Sequence, residues 1–74
     1  MEEKFKELVS RYCDMKPEEM TAETRFRDDL GMSSLDFMSL LGELEDEFDI
    51  DFEEGESVKI VTIGEALELL RRYL

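Results

Sequence analysis

The 74-residue chain has no histidine and no tryptophan, and only one cysteine and one proline. Without histidine it lacks the commonest general base and the usual partner of a nucleophilic serine or cysteine. The same gap removes the most typical zinc ligand, and Cys13 alone cannot build a structural zinc site or a disulfide. A self-sufficient hydrolase and a zinc enzyme are therefore not expected. Paired carboxylates remain as acid–base candidates, but among 21 acidic residues some pair always looks suggestive; shifted pKa values in a cleft would be needed to single one out. A lone cysteine fits a reducing compartment. No apolar run is long enough to span a membrane and no signal-peptide pattern follows Met1, so a soluble cytoplasmic protein is expected. The length suits a single domain over residues 1–74. A domain of this size buries only about 60% of the surface its unfolded chain exposes, which makes it marginally stable.

Positive charge is missing over a long stretch as well. Between Asp28 and Ser57 there is no basic residue, while Asp28, Asp29, Asp36, Glu43, Glu45, Asp46, Glu47, Asp49, Asp51, Glu53, Glu54 and Glu56 contribute twelve acids. The rest of the chain carries nine acids and nine bases, so the net charge of −12 resides in that central segment. Such a field repels nucleic-acid phosphates and attracts basic protein surfaces. A solvated helix face that aids solubility has the same composition. Confinement of the charge to one segment favours a docking surface.

What the chain does contain is helical periodicity. Met1, Phe5, Leu8, Val9 and Tyr12 share one stripe of a helix predicted from about Glu2 to Cys13 and ended by Asp14, Lys16 and Pro17. A long connection follows, from Lys16 to Met32, with Met20, Phe26, Leu30 and Met32 as apolar anchors that pack it over the helices. The second helix starts at Ser33 or Ser34 and ends near Asp49; Ser33 and Asp36 form a capping-box-like start. Its core stripe is Phe37, Leu40, Leu41, Leu44 and Phe48, centred on Phe37, Leu44 and Phe48. Gly42 inside it costs about 1 kcal/mol relative to alanine, which suggests a close approach at that position. A short turn of helix is expected around Glu56–Ile60. The last helix is capped by Thr62 with Glu65, runs on a stripe of Ile63, Ala66, Leu67, Leu70 and Leu74, and ends with Arg71 and Arg72. No segment alternates with period two. The fold class is all-α, a small bundle of three main helices plus one short helix.

On a wheel of 100° per residue, Leu35, Met38, Ser39, Gly42, Asp46 and Asp49 fall opposite or beside the core stripe of the second helix. Leu35 and Met38 are thus apolar residues off the stripe. Either they tuck under the long connection, or they form a contact ridge rimmed by Asp36, Glu43, Glu45, Asp46 and Asp49. An apolar centre with a charged rim is the usual build of a weak, specific docking site.

The run Asp28-Asp29-Leu30-Gly31-Met32-Ser33-Ser34-Leu35-Asp36, with Leu40-Leu41-Gly42-Glu43-Leu44-Glu45-Asp46-Glu47-Phe48-Asp49-Ile50 after it and Thr62-Ile63-Gly64-Glu65-Ala66 later, closely resembles acyl carrier proteins over nearly the whole chain. In that family an Asp-Leu-Gly-x-Asp-Ser-Leu signature opens the second helix, and its serine receives 4′-phosphopantetheine from coenzyme A through a phosphopantetheinyl transferase. The resemblance implies that Ser34 is the covalent attachment serine. It implies that Leu35 and Met38 are apolar partner contacts, and that Asp36, Glu45 and Asp46 meet basic patches on synthases and acyl-transfer enzymes. It further implies a carrier of acyl thioesters for fatty acid, polyketide or related biosynthesis, with no catalytic group of its own and a single copy as the working unit. The runner-up is an acidic helical adaptor that binds a basic protein with no prosthetic group. Two departures stand out: the family's aspartate before the serine is Ser33, and an acidic position one turn on is Ser39, followed by Gly42 at a contact position. Fewer acids on that face suggest altered partner choice, hence a specialised carrier.

Asp49-Ile50-Asp51-Phe52-Glu53-Glu54-Gly55 superficially follows a calcium loop. An EF-hand wants glycine sixth and glutamate twelfth; here the glycine is seventh and the twelfth residue is Ile60. No dedicated calcium site is expected. Cys13 reads as a small buried apolar residue, or as one near the edge of the first helix's buried face, and nothing marks it as reactive.

Overall fold

The computed structural model describes residues 2–53, 55, 56 and 59–74. Helix α1 spans Glu2–Ser10, a 3₁₀ turn follows at Pro17–Glu19, α2 spans Ser34–Phe48 and α3 spans Ile63–Tyr73. Among the described residues there is no strand, only an isolated antiparallel bridge between Arg25 and Thr62.

Helix α1 ends at Ser10, three residues before the expected end. The Arg11 and Tyr12 amides donate to Leu8 and Val9 carbonyls at 3.2 and 3.0 Å, a three-residue spacing that tightens the chain into a turn. Phe5, Leu8 and Val9 are buried and Tyr12 is half-buried; Met1, placed on the same stripe by periodicity, lies outside the described residues. Cys13 is half-buried against the core. The proline expected only to end the first helix also opens the 3₁₀ turn, consistent with its preset φ at a helix start.

The long connection packs as its apolar anchors imply. Met20, Phe26, Leu30 and Met32 are all buried with Leu40, Leu44, Ile63, Ala66, Leu67 and Leu70 in one core cluster. The buried face of α2 is centred on Leu40 and Leu44, while Phe37, Leu41 and Phe48 are half-buried at its margins. The centre therefore sits away from Phe37 and Phe48, where the wheel put it, because Phe37 leans instead against the connection: its ring lies 5.1 Å from that of Phe26.

In α3, Leu74 is 64% exposed beyond the helix end, and Leu69, which the stripe omitted, is buried. Leu69 lines a hollow with Ile60 and Lys59, outside the main core cluster. The short helix expected around Glu56–Ile60 includes positions 57 and 58, which lie outside the described residues; Lys59 N–H donates to Glu56 O at 3.3 Å.

Candidate functional site

The site is built where the connection enters α2. Phe26 is fixed from two sides: its side chain is buried in the core, and its N–H donates to Val61 O at 3.0 Å. The chain then reverses through Gly31, at φ +68, a left-handed conformation that glycine adopts without the Cβ penalty of other residues. The reversal lets Met32 N–H donate to Phe26 O at 3.0 Å and Gly31 N–H to Arg27 O at 3.1 Å. Residues 26–27 and 32–34 are thus held side by side. Met32 and Phe37 occupy the N′ and N4 positions of α2, the two halves of a hydrophobic staple, and both pack on the core.

The two adjacent serines have different tasks in this geometry. Ser33 is the N-cap: its Oγ accepts the Asp36 N–H at 3.2 Å, and its own N–H donates to Asp36 Oδ2 at 3.4 Å. Ser34 is the first helical residue. Its side chain is exposed and takes no part in the cap. Its Oγ instead accepts a hydrogen bond from Arg27 Nη2 at 2.7 Å. Sequence reasoning missed Arg27. The available signal was its position as the last base before the base-free segment, but the seven-residue gap to Ser34 closes only through the Gly31 reversal.

Leu35 and Met38 are 79% and 68% exposed. They do not tuck under the connection; with Ser39, Gly42 and Asp46 they line the outer face of α2. From Leu35 to Asp46 this face runs roughly 16 Å at the helical rise per residue. Gly42 has open space around it, with nothing within 4 Å of where a Cβ would stand. The expected close approach is therefore absent among the described residues, and the glycine leaves a gap in the ridge.

The acids around the ridge divide into two groups. Asp46 is exposed. Asp36 is half-buried and closes the capping box. Glu45 is half-buried, and its Oε2 accepts the Phe52 N–H at 2.8 Å, tying the end of α2 to the segment that follows. Glu43 faces the turn that follows α1, where it accepts from Tyr12 Oη at 2.5 Å and Arg11 Nη1 at 3.3 Å. The hydrogen bond to Glu43, aided by desolvation, raises the Tyr12 pKa above its ordinary 10.0. Glu43 and Glu45 thus hold the fold together at the same time as they add to the field.

A phosphodiester suits this position. The hydroxyl is exposed, a guanidinium already points at its oxygen, and the first turn of a helix favours an anion.

Fold and site together define a small helical carrier domain. The family model for the phosphopantetheine attachment site matches residues 3–70, and the chain belongs to that family. Solved structures agree. The acyl carrier protein from Enterococcus faecalis is 27% identical, with a TM-score of 0.85 over 99% of this chain and 92% of that one. A candidate acyl carrier protein from Mycobacterium tuberculosis is 32% identical, with a TM-score of 0.87 over 96% of this chain and 95% of that one. The prosthetic group of the family is covalently held phosphopantetheine, and its members are carriers rather than enzymes.

Proposed function

We propose that the protein carries acyl intermediates as thioesters on a 4′-phosphopantetheine arm attached to Ser34. The observation that carries this reading is the division between the two serines: Ser33 Oγ is engaged in the cap, and Ser34 presents the exposed hydroxyl at the helix start. When bound, the group supplies a flexible thiol that forms and exchanges the thioester. This chain's residues present the attachment oxygen, accommodate the phosphate charge and dock the partner. The adaptor reading loses its ground, because the family is defined by the attached group.

Partners of this reading are a phosphopantetheinyl transferase and the acyl-transfer and synthase enzymes of fatty acid, polyketide or related biosynthesis. Leu35 and Met38 supply the apolar centre of the docking face, with Asp36, Glu45 and Asp46 as its acidic residues. The thinning of that face at Ser33, Ser39 and Gly42 supports a specialised carrier. Rates with a housekeeping fatty acid synthase equal to those of that synthase's usual carrier would sink the specialisation.

Attachment is tested by incubating the protein with coenzyme A, magnesium and a broad-specificity transferase, then reading intact mass. One phosphopantetheine adduct is expected on the wild type and none on Ser34→Ala. An unmodified wild type beside a modified control carrier would overturn the reading, and an adduct on Ser34→Ala would move the site to Ser33.

A further inference from the structure

Arg27 stands out among the basic residues by its contact with the Ser34 hydroxyl. Lys4 pairs with Glu47, Arg11 with Glu43, and Arg25 with both Asp28 and Asp29. Asp28 and Asp29 follow Arg27 directly in sequence. They are instead drawn to Arg25: Asp29 Oδ2 accepts the Arg25 backbone N–H at 2.7 Å, and Asp28 Oδ2 accepts from Arg25 Nη1 at 3.1 Å. Among the described residues Arg27 makes no ion pair, and its guanidinium is committed to a neutral oxygen, Ser34 Oγ. A guanidinium is built to meet an anionic oxygen pair with two parallel N–H donors. A lone hydroxyl uses a fraction of that capacity.

We propose that Arg27 is a positioning residue for the prosthetic arm: its guanidinium pairs with the phosphodiester once the arm is on Ser34, fixing the direction in which the arm leaves the protein. The inference rests on Ser34 being the attachment serine. The 2.7 Å contact already places Nη2 at the oxygen that becomes the ester oxygen, so the non-bridging phosphate oxygens fall within reach after a small rotation of an exposed side chain. Electrostatics favour the same outcome. The arm adds a negative charge to a chain of net charge −12, at the start of its base-free segment. Among the described residues Arg27 is the one cation in contact with that point, and it offsets the added repulsion.

The test compares apo and holo forms of wild type, Arg27→Gln and Arg27→Lys. Intact mass and peptide mapping first establish the adduct on Ser34 in each. Two readouts follow: the change in Tm on conversion from apo to holo at low and high salt, and the side-chain Nε–Hε resonance of Arg27 beside the ³¹P resonance of the diester. The wild type is expected to gain about 1–5 °C more on conversion than Arg27→Gln at low ionic strength, with the difference vanishing near 1 M salt. Arg27→Lys keeps part of the gain, since it retains charge without the fork. The Arg27 resonance moves on conversion, and the ³¹P resonance differs between wild type and Arg27→Gln. A purely structural arginine would lower apo and holo Tm equally, and that result overturns the proposal. So does an adduct on Ser34 with unchanged Arg27 and ³¹P signals, which leaves the attachment reading intact. An adduct absent from Ser34 overturns both.

Discussion

Replacing Ser33 by alanine removes the oxygen that accepts the Asp36 N–H at 3.2 Å. Loss of a serine N-cap costs from about 0.5 to 2 kcal/mol. Two features of this cap place it near the middle of that range. Its hydrogen bonds, 3.2 and 3.4 Å, are longer than the usual 2.9–3.0 Å, and Ser33 is exposed, so water takes over part of the lost bond. The reciprocal bond from the residue-33 N–H to Asp36 also survives the substitution. About 1 kcal/mol is expected, and in a domain of this size that lowers Tm by about 4–8 °C.

The neighbouring substitution has the opposite signature. Ser34→Ala removes an exposed hydroxyl outside the cap, so its effect on stability stays within about 0.5 kcal/mol, while attachment is abolished. Thermal melts by circular dichroism, paired with intact mass after transferase treatment, read both properties. Ser33→Ala is expected to melt earlier yet accept the arm; Ser34→Ala is expected to melt with the wild type yet refuse it. An unchanged Tm for Ser33→Ala, or a loss at Ser34→Ala as large as at Ser33→Ala, would refute this division of labour.

The two helical glycines should respond to alanine with opposite signs. At Gly42 nothing lies within 4 Å of the added Cβ, so Gly42→Ala should stabilise by up to about 1 kcal/mol; a lower Tm would show that the open space is not real. At Gly64 the Cβ would stand 3.0 Å from Ala22 O, the same carbonyl that accepts the Gly64 N–H at 2.9 Å. That carbonyl cannot retreat without weakening its bond, so overpacking of about 1–3 kcal/mol outweighs the helix gain and Tm should fall. Glu65 tests the acid limb of stability. Hydrogen bonds from the Val61 and Thr62 N–H groups hold its carboxyl below the ordinary 4.5. A group lowered in the folded state contributes stability that is present above the unfolded value and is lost as pH falls through the folded one. Glu65→Gln should therefore flatten the decline of Tm below pH 4.5, and parallel curves for the two proteins would contradict the assignment.

Those parts of the fold that depend on local periodicity were readable in the sequence. The capping boxes at Ser33–Asp36 and Thr62–Glu65 are fixed by three-residue spacings, and both form. The buried status of Met20, Phe26, Leu30 and Met32 followed from their being the apolar residues of a polar connection. What was not readable depends on tertiary context. The end of α1 at Ser10 lies inside a stretch whose apolar spacing continues to Tyr12, and the turn bonds that stop it leave no compositional mark. Gly42 signals either close approach or open space with the same letter, and only neighbours decide. The partnership of Arg27 with Ser34 needs both the reversal at Gly31 and the capture of Asp28 and Asp29 by Arg25. A pairing conditional on two other pairings is beyond any linear pattern.

The same conditionality changes how the acidic segment should be weighed. Counted along the chain, every acid of α2 looks equally available for a basic partner. In the fold, Glu43 is bound by Tyr12 and Arg11, Glu45 by the Phe52 N–H, and Asp36 by the Ser33 N–H. Each still contributes to the long-range potential that steers a basic surface inward, because a hydrogen-bonded carboxylate keeps its charge. None of the three can turn fully to a partner without giving up a bond that holds the domain together. On the proposed docking reading, short-range recognition then falls to groups free to adapt, namely Asp46, Leu35, Met38 and the gap at Gly42. On that reading, charge governs the rate of encounter with basic enzymes in general, whereas apolar shape and the gap govern which of them stays.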